Sequence, residues 1–172
     1  MVSVDEEILS STWIGCSRPD IKEIIEGWLK YEVITGARHC TECFLTRVVV
    51  NELRKKGVPV RVDDLSVEGG YCDFKINPDY KVEIKKSLTG ETDLVKEIKK
   101  KTESHSDCNP FLLIYISVLP QWVKNVTDLE GRIKSTCGSE WELSPPVKLP
   151  FHEGFAVLAK KMNQPPYSTG SK

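Results

Sequence analysis

The amino-acid sequence predicts a single α/β domain, with a mixed sheet flanked by helices and an N-terminal helical extension. Two short β-prone runs lie between residues 69 and 87, a continuous apolar run spans residues 111–118, and stretches with helical spacing precede and separate them. Helices that alternate with strands in this way usually cover a sheet. We expect residues 1–162 to form this domain and residues 163–172 to form a flexible tail.

Length and composition are those of an ordinary soluble globular protein. The 172 residues suffice for one domain, and the hydrophobic and charged fractions are 40% and 28%. No apolar run approaches the roughly 20 residues of a membrane helix, and the acidic residues 5–7 argue against a signal peptide. We therefore expect a cytoplasmic protein without membrane contact. With a net charge of −1, any nucleic-acid binding requires a local basic patch.

Helical spacing of apolar residues marks the N-terminal third of the chain. Pro19 and Asp20 suit the first turn of a helix, and apolar residues follow at helical spacing. A second helix is predicted over residues 38–56, with Gly57 as a natural stop. Valines then alternate with other residues over positions 58–62, which predicts a strand.

The elements after the two β-prone runs are predicted by the same spacing rules. A helix follows residue 90, with apolar positions at Leu94, Val95 and Ile98. The apolar run 111–118 is the best candidate for a central buried strand. Residues 139–150 contain three prolines and are predicted to be extended, and residues 151–162 are predicted to form a helix.

The two β-prone runs flank residues 77–79 and direct charged side chains to one face. Because strand side chains alternate, Glu83 and Lys85 project together, and Asp73 and Lys75 share a face in the first run. A three-residue turn at 77–79 puts Asp73 opposite Glu83, whereas a two-residue turn points Asp73 away. A site built from both strands therefore requires the three-residue turn or a bulge.

These residue types suit metal-assisted chemistry on phosphate. Mg²⁺ takes oxygen ligands, often one or two carboxylates plus substrate phosphate. A lysine beside the metal orients an attacking water or stabilises charge on the phosphate. The alternative is that Asp73, Glu83 and Lys85 are an exposed polar face with cross-strand charge pairs.

The pattern of Asp73, nine residues and then Glu83-Ile84-Lys85 resembles the PD-(D/E)xK nuclease superfamily, which includes restriction endonucleases and archaeal Holliday-junction resolvases. The predicted order over residues 38–118 is similar to its restriction-endonuclease-like core, α-β-β-β-α-β. Cys72 stands where members of the superfamily often have a proline.

The resemblance implies a Mg²⁺- or Mn²⁺-dependent endonuclease that hydrolyses DNA phosphodiester bonds. Asp73, Glu83 and the backbone carbonyl of Ile84 would then bind the metal, and Lys85 would position water or stabilise the pentavalent phosphate. The sequence leaves the oligomeric state open, although a homodimer would suit paired cuts in duplex DNA, which usually need two active sites.

A helical glutamate is the next candidate. Resolvase-like members often carry a metal-assisting glutamate on the first core helix, at the place where this chain has Thr46. Glu42 lies one turn earlier on nearly the same face and is the candidate substitute. The alternative is that Glu42 is an ordinary solvated glutamate.

Lysines supply the candidate phosphate-binding patch. The residues concerned are Lys96, Lys99, Lys100 and Lys101 on one predicted helix, and more weakly Lys86 on the predicted strand. A solvated helix face is the alternative for the helical lysines. Two other functions stay open: a nucleic-acid-binding module without cleavage, and a protein-interaction domain.

The chain has six cysteines. Without an export signal we expect free thiols. Cys40 and Cys43 have the spacing of a metal-binding pair, but structural zinc usually needs a second such pair, which the sequence lacks. Packing of these thiols on a helix is therefore favoured over a zinc site.

Overall fold

One mixed sheet organises the chain. The computed structural model describes residues 2–35, 40–62, 72–76, 80–88, 91–104, 109–118 and 128–162. The helices in these ranges are α1 (Val4–Ser17), α2 (Pro19–Thr35), α3 (Cys40–Lys55), α4 (Glu91–Ser104) and α5 (Leu129–Cys137). The strands are β1 (Phe74–Lys75), β2 (Lys81–Ser87), β3 (Phe111–Tyr115), β4 (Trp141–Leu143), β5 (Val147–Lys148) and β6 (Phe155–Lys161). The predicted α/β class is confirmed.

The strand order is β1-β2-β3-β6-β4, and β5 also pairs with β6. β2 and β3 are parallel, while the other pairs are antiparallel. A parallel pair needs a crossover connection, and α4 lies in it. β3, the predicted central strand, lies between β2 and β6, and all its residues are buried.

Helices cover both faces of the sheet. Leu112 and Ile114 of β3 belong to one core, which also contains buried residues of α1, α2 and α3. Phe111 and Leu113 belong to a second core with buried residues of α4 and α5. Because side chains alternate along a strand, the two cores are the two sides of one sheet. The molecule therefore has three layers, with helices packed against each face of the sheet. Side chains on both faces of β2 can contact a helix.

The first helix, α1, packs closely on α3, and the sequence did not single it out. Its start is fixed by a capping box, in which Ser3 and Glu6 bond each other's backbone N–H groups. At Gly15 a Cβ atom would lie 2.3 Å from Val48 Cγ1 of α3. Because glycine has no side chain, α1 and α3 can approach each other closely. The N-terminal extension therefore packs in the same helical layer as α3.

The hairpin register agrees with the prediction. Phe74 pairs with Val82 and Lys75 with Lys81, and the Ile76 N–H donates to the Tyr80 carbonyl at 3.0 Å. The same register places Asp73 opposite Glu83. Three positions separate Ile76 from Tyr80, which is the turn length that a site built from both strands requires. Residues 77–79 themselves lie outside the described ranges.

Two element predictions are wrong. Residues 58–62 form no strand: only Arg61 pairs, through two 2.8 Å backbone bonds with Lys75. Residues 151–162 contain β6 rather than a helix. β6 is covered on both faces, so its apolar run lacks the alternation that distinguishes a strand from a helix. The predicted tail, residues 163–172, lies outside the described ranges, and none of the described helices is long and apolar enough to cross a membrane.

Candidate active site

Beyond the point where β2 stops pairing with β1, two backbone N–H groups of β2 donate hydrogen bonds to carboxylates. The Ile84 N–H donates to Asp73 Oδ2 at 2.7 Å, and the Lys86 N–H donates to Glu42 Oε2 at 3.3 Å. β1 has only two residues, so these N–H groups have no strand partner. Carboxylates from the hairpin and from α3 satisfy them instead and are thereby held along one strand edge.

The side chains of Glu83 and Lys85 point to the face of β2 that α4 covers. Lys85 Nζ lies 3.3 Å from Glu83 Oε1 and 3.8 Å from Glu97 Oε2. It also lies 3.8 Å from Glu42 Oε1 at the strand edge. Lys101 Nζ of α4 lies 3.5 Å from the same oxygen of Glu83 that Lys85 approaches. The charged cluster therefore joins α3, β2, α4 and the hairpin.

The two oxygens of the Glu83 carboxylate differ in their contacts with the described residues. The side chain is 5% exposed, and both lysines approach Oε1. Oε2 is buried and accepts no hydrogen bond from any residue that the structure describes. A buried carboxylate oxygen without a donor costs free energy. This atom is therefore available to a cation.

Two carboxyl groups of the cluster, Asp73 and Glu42, have raised pKa values. Burial and the Glu83 carboxylate raise the pKa of Asp73 to about 7, against the opposing effects of the Ile84 N–H and Lys85. Burial also raises the pKa of Glu42, although Lys85 and the Lys86 N–H oppose it. Such shifts are typical of carboxylates that lack enough nearby positive charge.

Lys85 is held as an ammonium. Burial alone would lower the pKa of Lys85, but the carboxylates of Glu42, Glu83 and Glu97 outweigh burial and raise it. A lysine with a raised pKa does not act as a base near neutral pH. Its chemistry in this cluster is to donate hydrogen bonds and to supply positive charge.

Carboxylates outnumber ammonium groups among the described residues of the cluster. Four carboxylates (Glu42, Asp73, Glu83 and Glu97) against two ammonium groups (Lys85 and Lys101) give these residues a net charge of −2 when all are ionised. In the described part of the chain, no three His, Cys, Asp or Glu side chains form a metal-holding group by themselves. Mg²⁺ often uses only one or two carboxylates and keeps water or phosphate as its other ligands. The unpartnered Glu83 oxygen and the nearby Asp73 fit that demand.

The predicted site residues separate into two groups. Asp73, Glu83, Lys85 and Glu42 come together, and Glu42 is a member of the cluster, with its side chain 25% exposed, instead of a solvated glutamate. Ile84 contributes its backbone at the same edge.

Of the predicted phosphate-binding lysines, only Lys101 joins this cluster. Lys86 points to the other face of the sheet, where its ammonium pairs with Glu32 and its side chain is 7% exposed. Lys96, Lys99 and Lys100 lie exposed on α4.

Sequence reasoning missed the contribution of α4 to the cluster. Glu97 was not singled out, and Lys101 was considered only as part of a phosphate-binding patch. The two residues are four positions apart and therefore share a helix face. That spacing, next to the buried positions Leu94 and Ile98, was the available signal.

The cysteines do not form a metal site in the described residues. Cys16, Cys43 and Cys137 carry thiols, and burial raises the pKa of Cys16 to about 12, which makes it unreactive. Cys72, next to Asp73, is disulfide-bonded. The prediction of free thiols is therefore wrong for Cys72, and the side chain of Cys40 lies outside the description.

Comparison of the chain with protein-family models, with curated proteins and with solved structures gives no significant match. The function must therefore be argued from the charged cluster itself.

Proposed function

We propose that this protein is a Mg²⁺-dependent nuclease that hydrolyses phosphodiester bonds of DNA, with a restriction-endonuclease-like core. The buried Glu83 carboxylate carries the proposal, because it combines an unpartnered oxygen with two flanking lysines and a neighbouring Asp73 of raised pKa. A structural ion pair has no need of an unsatisfied oxygen and excess negative charge. A cation site next to a phosphate-binding lysine needs both.

The arrangement of elements supports the proposed core. α3 precedes the hairpin, Asp73 lies immediately before β1, and Glu83 and Lys85 lie on β2. α4 then leads to β3, which is parallel to β2. The first strand of the expected core is represented only by the Arg61 pair.

Asp73 and Glu83 are the carboxylates that would hold the metal. The N–H and C=O groups of a strand residue point to the same side, so the Ile84 carbonyl faces the edge at which its N–H binds Asp73. This carbonyl would be a third protein ligand. Bound Mg²⁺ would lower the pKa of a coordinated water and offset charge on the phosphate.

Lys85 would stabilise the phosphate in the transition state. Its raised pKa keeps the ammonium charged, which excludes the role of base and suits the negative charge that builds up on the phosphate oxygens. Glu42 lies 3.8 Å from Lys85 and is held by the Lys86 N–H. Glu42 and Glu97 are the carboxylates left once Asp73 and Glu83 hold the metal, and Glu42, which shares the strand edge with Asp73, would accept a proton from the attacking water.

A cleavage assay tests the proposal. The purified chain is incubated with duplex and branched DNA in Mg²⁺, in Mn²⁺ and in EDTA, alongside Glu83→Gln. The matched control is Glu142→Gln, an exposed glutamate on β4 at the other edge of the sheet. We expect metal-dependent cleavage by the parent and the control and none by Glu83→Gln.

The other outcomes select the alternatives. Salt-sensitive DNA binding without cleavage in any metal identifies a nucleic-acid-binding module on a nuclease-like fold. If the protein neither binds nor cleaves DNA, the remaining alternative is a protein-interaction domain. A homodimer on duplex DNA stays a prediction, to be checked by sedimentation of the protein–DNA complex.

A further inference from the structure

Lys101 is the cationic side chain of the cluster that the proposed chemistry does not yet use. We propose that Lys101 takes the place of a second metal ion, so that the site binds one divalent cation and the Lys101 ammonium supplies the second positive centre beside Glu83. This inference rests on the proposed nuclease function and adds to it the metal stoichiometry and a further residue.

The geometry around Glu83 is the first argument. Lys85 and Lys101 lie 3.3 Å and 3.5 Å from the same oxygen, Oε1. Both lysine side chains are only 15% exposed, so bulk water screens them weakly. Oε2 has no partner. One oxygen of Glu83 is therefore occupied by two cations of the chain, and the other can take one metal ion.

The charge of the cluster is the second argument. Summed over the described residues, its net charge is −2 once every carboxyl group is ionised, as metal binding requires, and one divalent cation balances this charge. Two divalent cations would leave an excess of two positive charges, and a single phosphodiester would offset only one. Without Lys101 the net charge would be −3, and a second metal would become favourable.

The position of Lys101 on α4 is the third argument. It lies in the last turn of the helix, where a basic side chain is favoured by the helix dipole. Glu97, one turn earlier, lies 3.8 Å from Lys85. The helix therefore presents a carboxylate to Lys85 and an ammonium to Glu83, which fixes Lys101 more firmly than a flexible surface lysine.

When the metal binds Oε2, Lys101 is placed to contact a phosphate oxygen from the α4 side. It would share with Lys85 the charge that builds up on the transferring phosphate. Removal of Lys101 should then have opposite effects on two measurements. Metal binding should tighten, because a like charge next to the ligand is lost, while cleavage should slow, because the phosphate loses a partner.

Calorimetric titration with Mn²⁺ and Mg²⁺ measures the first effect, and DNA cleavage measures the second. We expect one metal per chain in the parent. Lys101→Met should bind the first metal roughly tenfold more tightly and cleave at least about 100-fold more slowly. Lys101→Arg should keep the parent's metal affinity and most of its cleavage. Thermal melts confirm that each variant is folded.

Lys134→Met is the matched control. Lys134 also lies in the last turn of its helix and pairs with a glutamate one turn earlier, Glu130, at 2.9 Å. We expect this variant to match the parent in both measurements. A merely structural role for Lys101 would not raise metal affinity, so tighter binding together with slower cleavage distinguishes the two roles.

Two metals per parent chain, or unchanged metal affinity and cleavage in Lys101→Met, would overturn the role of Lys101 while leaving the nuclease proposal in place. Failure of the parent to bind metal or cleave DNA would overturn both. Loss of metal binding in a folded Lys101→Met would also overturn it, because the lysine would then be required for the metal site instead of competing with it.

Discussion

Lys85 and Lys86 are neighbours on β2 but lie in opposite electrostatic environments. Their side chains point to opposite faces of the sheet. The Lys86 ammonium pairs with Glu32 of α2, whose other oxygen accepts the Thr41 N–H at 2.9 Å. Every oxygen of this glutamate is used, and the charges match one to one. The pair joins α2, β2 and the start of α3 as a structural contact.

On the face of β2 that carries Lys85, carboxylates outnumber ammonium groups. Its ammonium lies near three carboxylates, and one oxygen of Glu83 has no hydrogen-bond partner among the described residues. Both clusters are buried ion pairs, so burial and pairing do not distinguish a site from a scaffold. The excess of negative charge and the unsatisfied atom do, because both would be costly in a contact that serves only stability.

Lys85→Ala tests the functional side and has the largest expected effect. Cleavage should fall about 10³-fold, which corresponds to about 4 kcal/mol of transition-state stabilisation. Metal binding should be kept, because an ammonium is not a metal ligand, and it should tighten as in Lys101→Met, because a like charge beside Glu83 is lost. Parallel cleavage assays and calorimetric titrations check this. Equal loss of metal binding and cleavage would mean that Lys85 organises the site instead of acting on phosphate.

Lys86→Ala tests the structural side. Removal of one partner leaves Glu32 buried without its counter-charge, which should lower the free energy of unfolding by about 3 kcal/mol. Urea denaturation measures the loss. The double variant Glu32→Leu/Lys86→Met removes both charges and should recover most of the stability. If the double variant is as unstable as Lys86→Ala, the loss of stability comes from the missing ion pair that holds α2 in place. It does not then come from the uncompensated charge of Glu32.

The excess charge near Lys85 should make stability depend on pH. The pKa of Asp73 is raised from 3.8 to about 7, so the folded protein binds more protons than the unfolded chain between these values. Stability from this group is therefore complete below about pH 4 and is lost as the pH rises towards 7.

Asp73→Asn removes this titration and keeps an oxygen for the Ile84 N–H. Allowing for solvent screening, the variant should be roughly 2 kcal/mol more stable than the parent at pH 8 and similar to it at pH 4. Urea denaturation at both pH values measures the difference. Mg²⁺ should stabilise the parent at pH 8 and the variant much less. An unchanged difference across pH would contradict the charge imbalance.

Spacing in the sequence predicted the elements nearest the site. The alternation of Glu83 and Lys85 and the three-residue separation in the hairpin gave the correct register, because side-chain direction in a strand follows from position alone. The helix with Leu94 and Ile98 and the central strand were also confirmed.

The elements that spacing missed have buried faces without a clear apolar pattern. α1 buries Ser11, Thr12 and Gly15 beside its apolar residues, so no simple stripe marks it. β6 is apolar on both faces and resembles a helix by periodicity. Glu97 and Lys101 reach Glu83 and Lys85 only because of how α4 crosses the sheet. That crossing is a tertiary property, which local spacing does not contain.

The smallest effect is expected from the exposed lysines of α4. With 100° between successive helix positions, Lys100 lies about 60° and Lys96 about 100° from Glu97, both on the side away from Lys101. Lys99 lies on the other side, near the Cys137 thiol, whose pKa is raised by burial against the opposing charge of Lys99. Only Lys96 and Lys100 are therefore placed to contact DNA that occupies the candidate site.

Lys96→Gln/Lys100→Gln should weaken DNA binding for all sequences alike and reduce the slope of log K against log salt by about 2, or roughly 0.9 for each lost phosphate contact. Lys99→Gln, a lysine of the same helix with the opposite orientation, should leave the slope unchanged. Binding isotherms at several salt concentrations, in Ca²⁺ to prevent cleavage, measure both. Equal slopes in all three proteins would make the exposed lysines a solvated face. A change in Lys99→Gln alone would move the DNA path to the α5 side of the molecule.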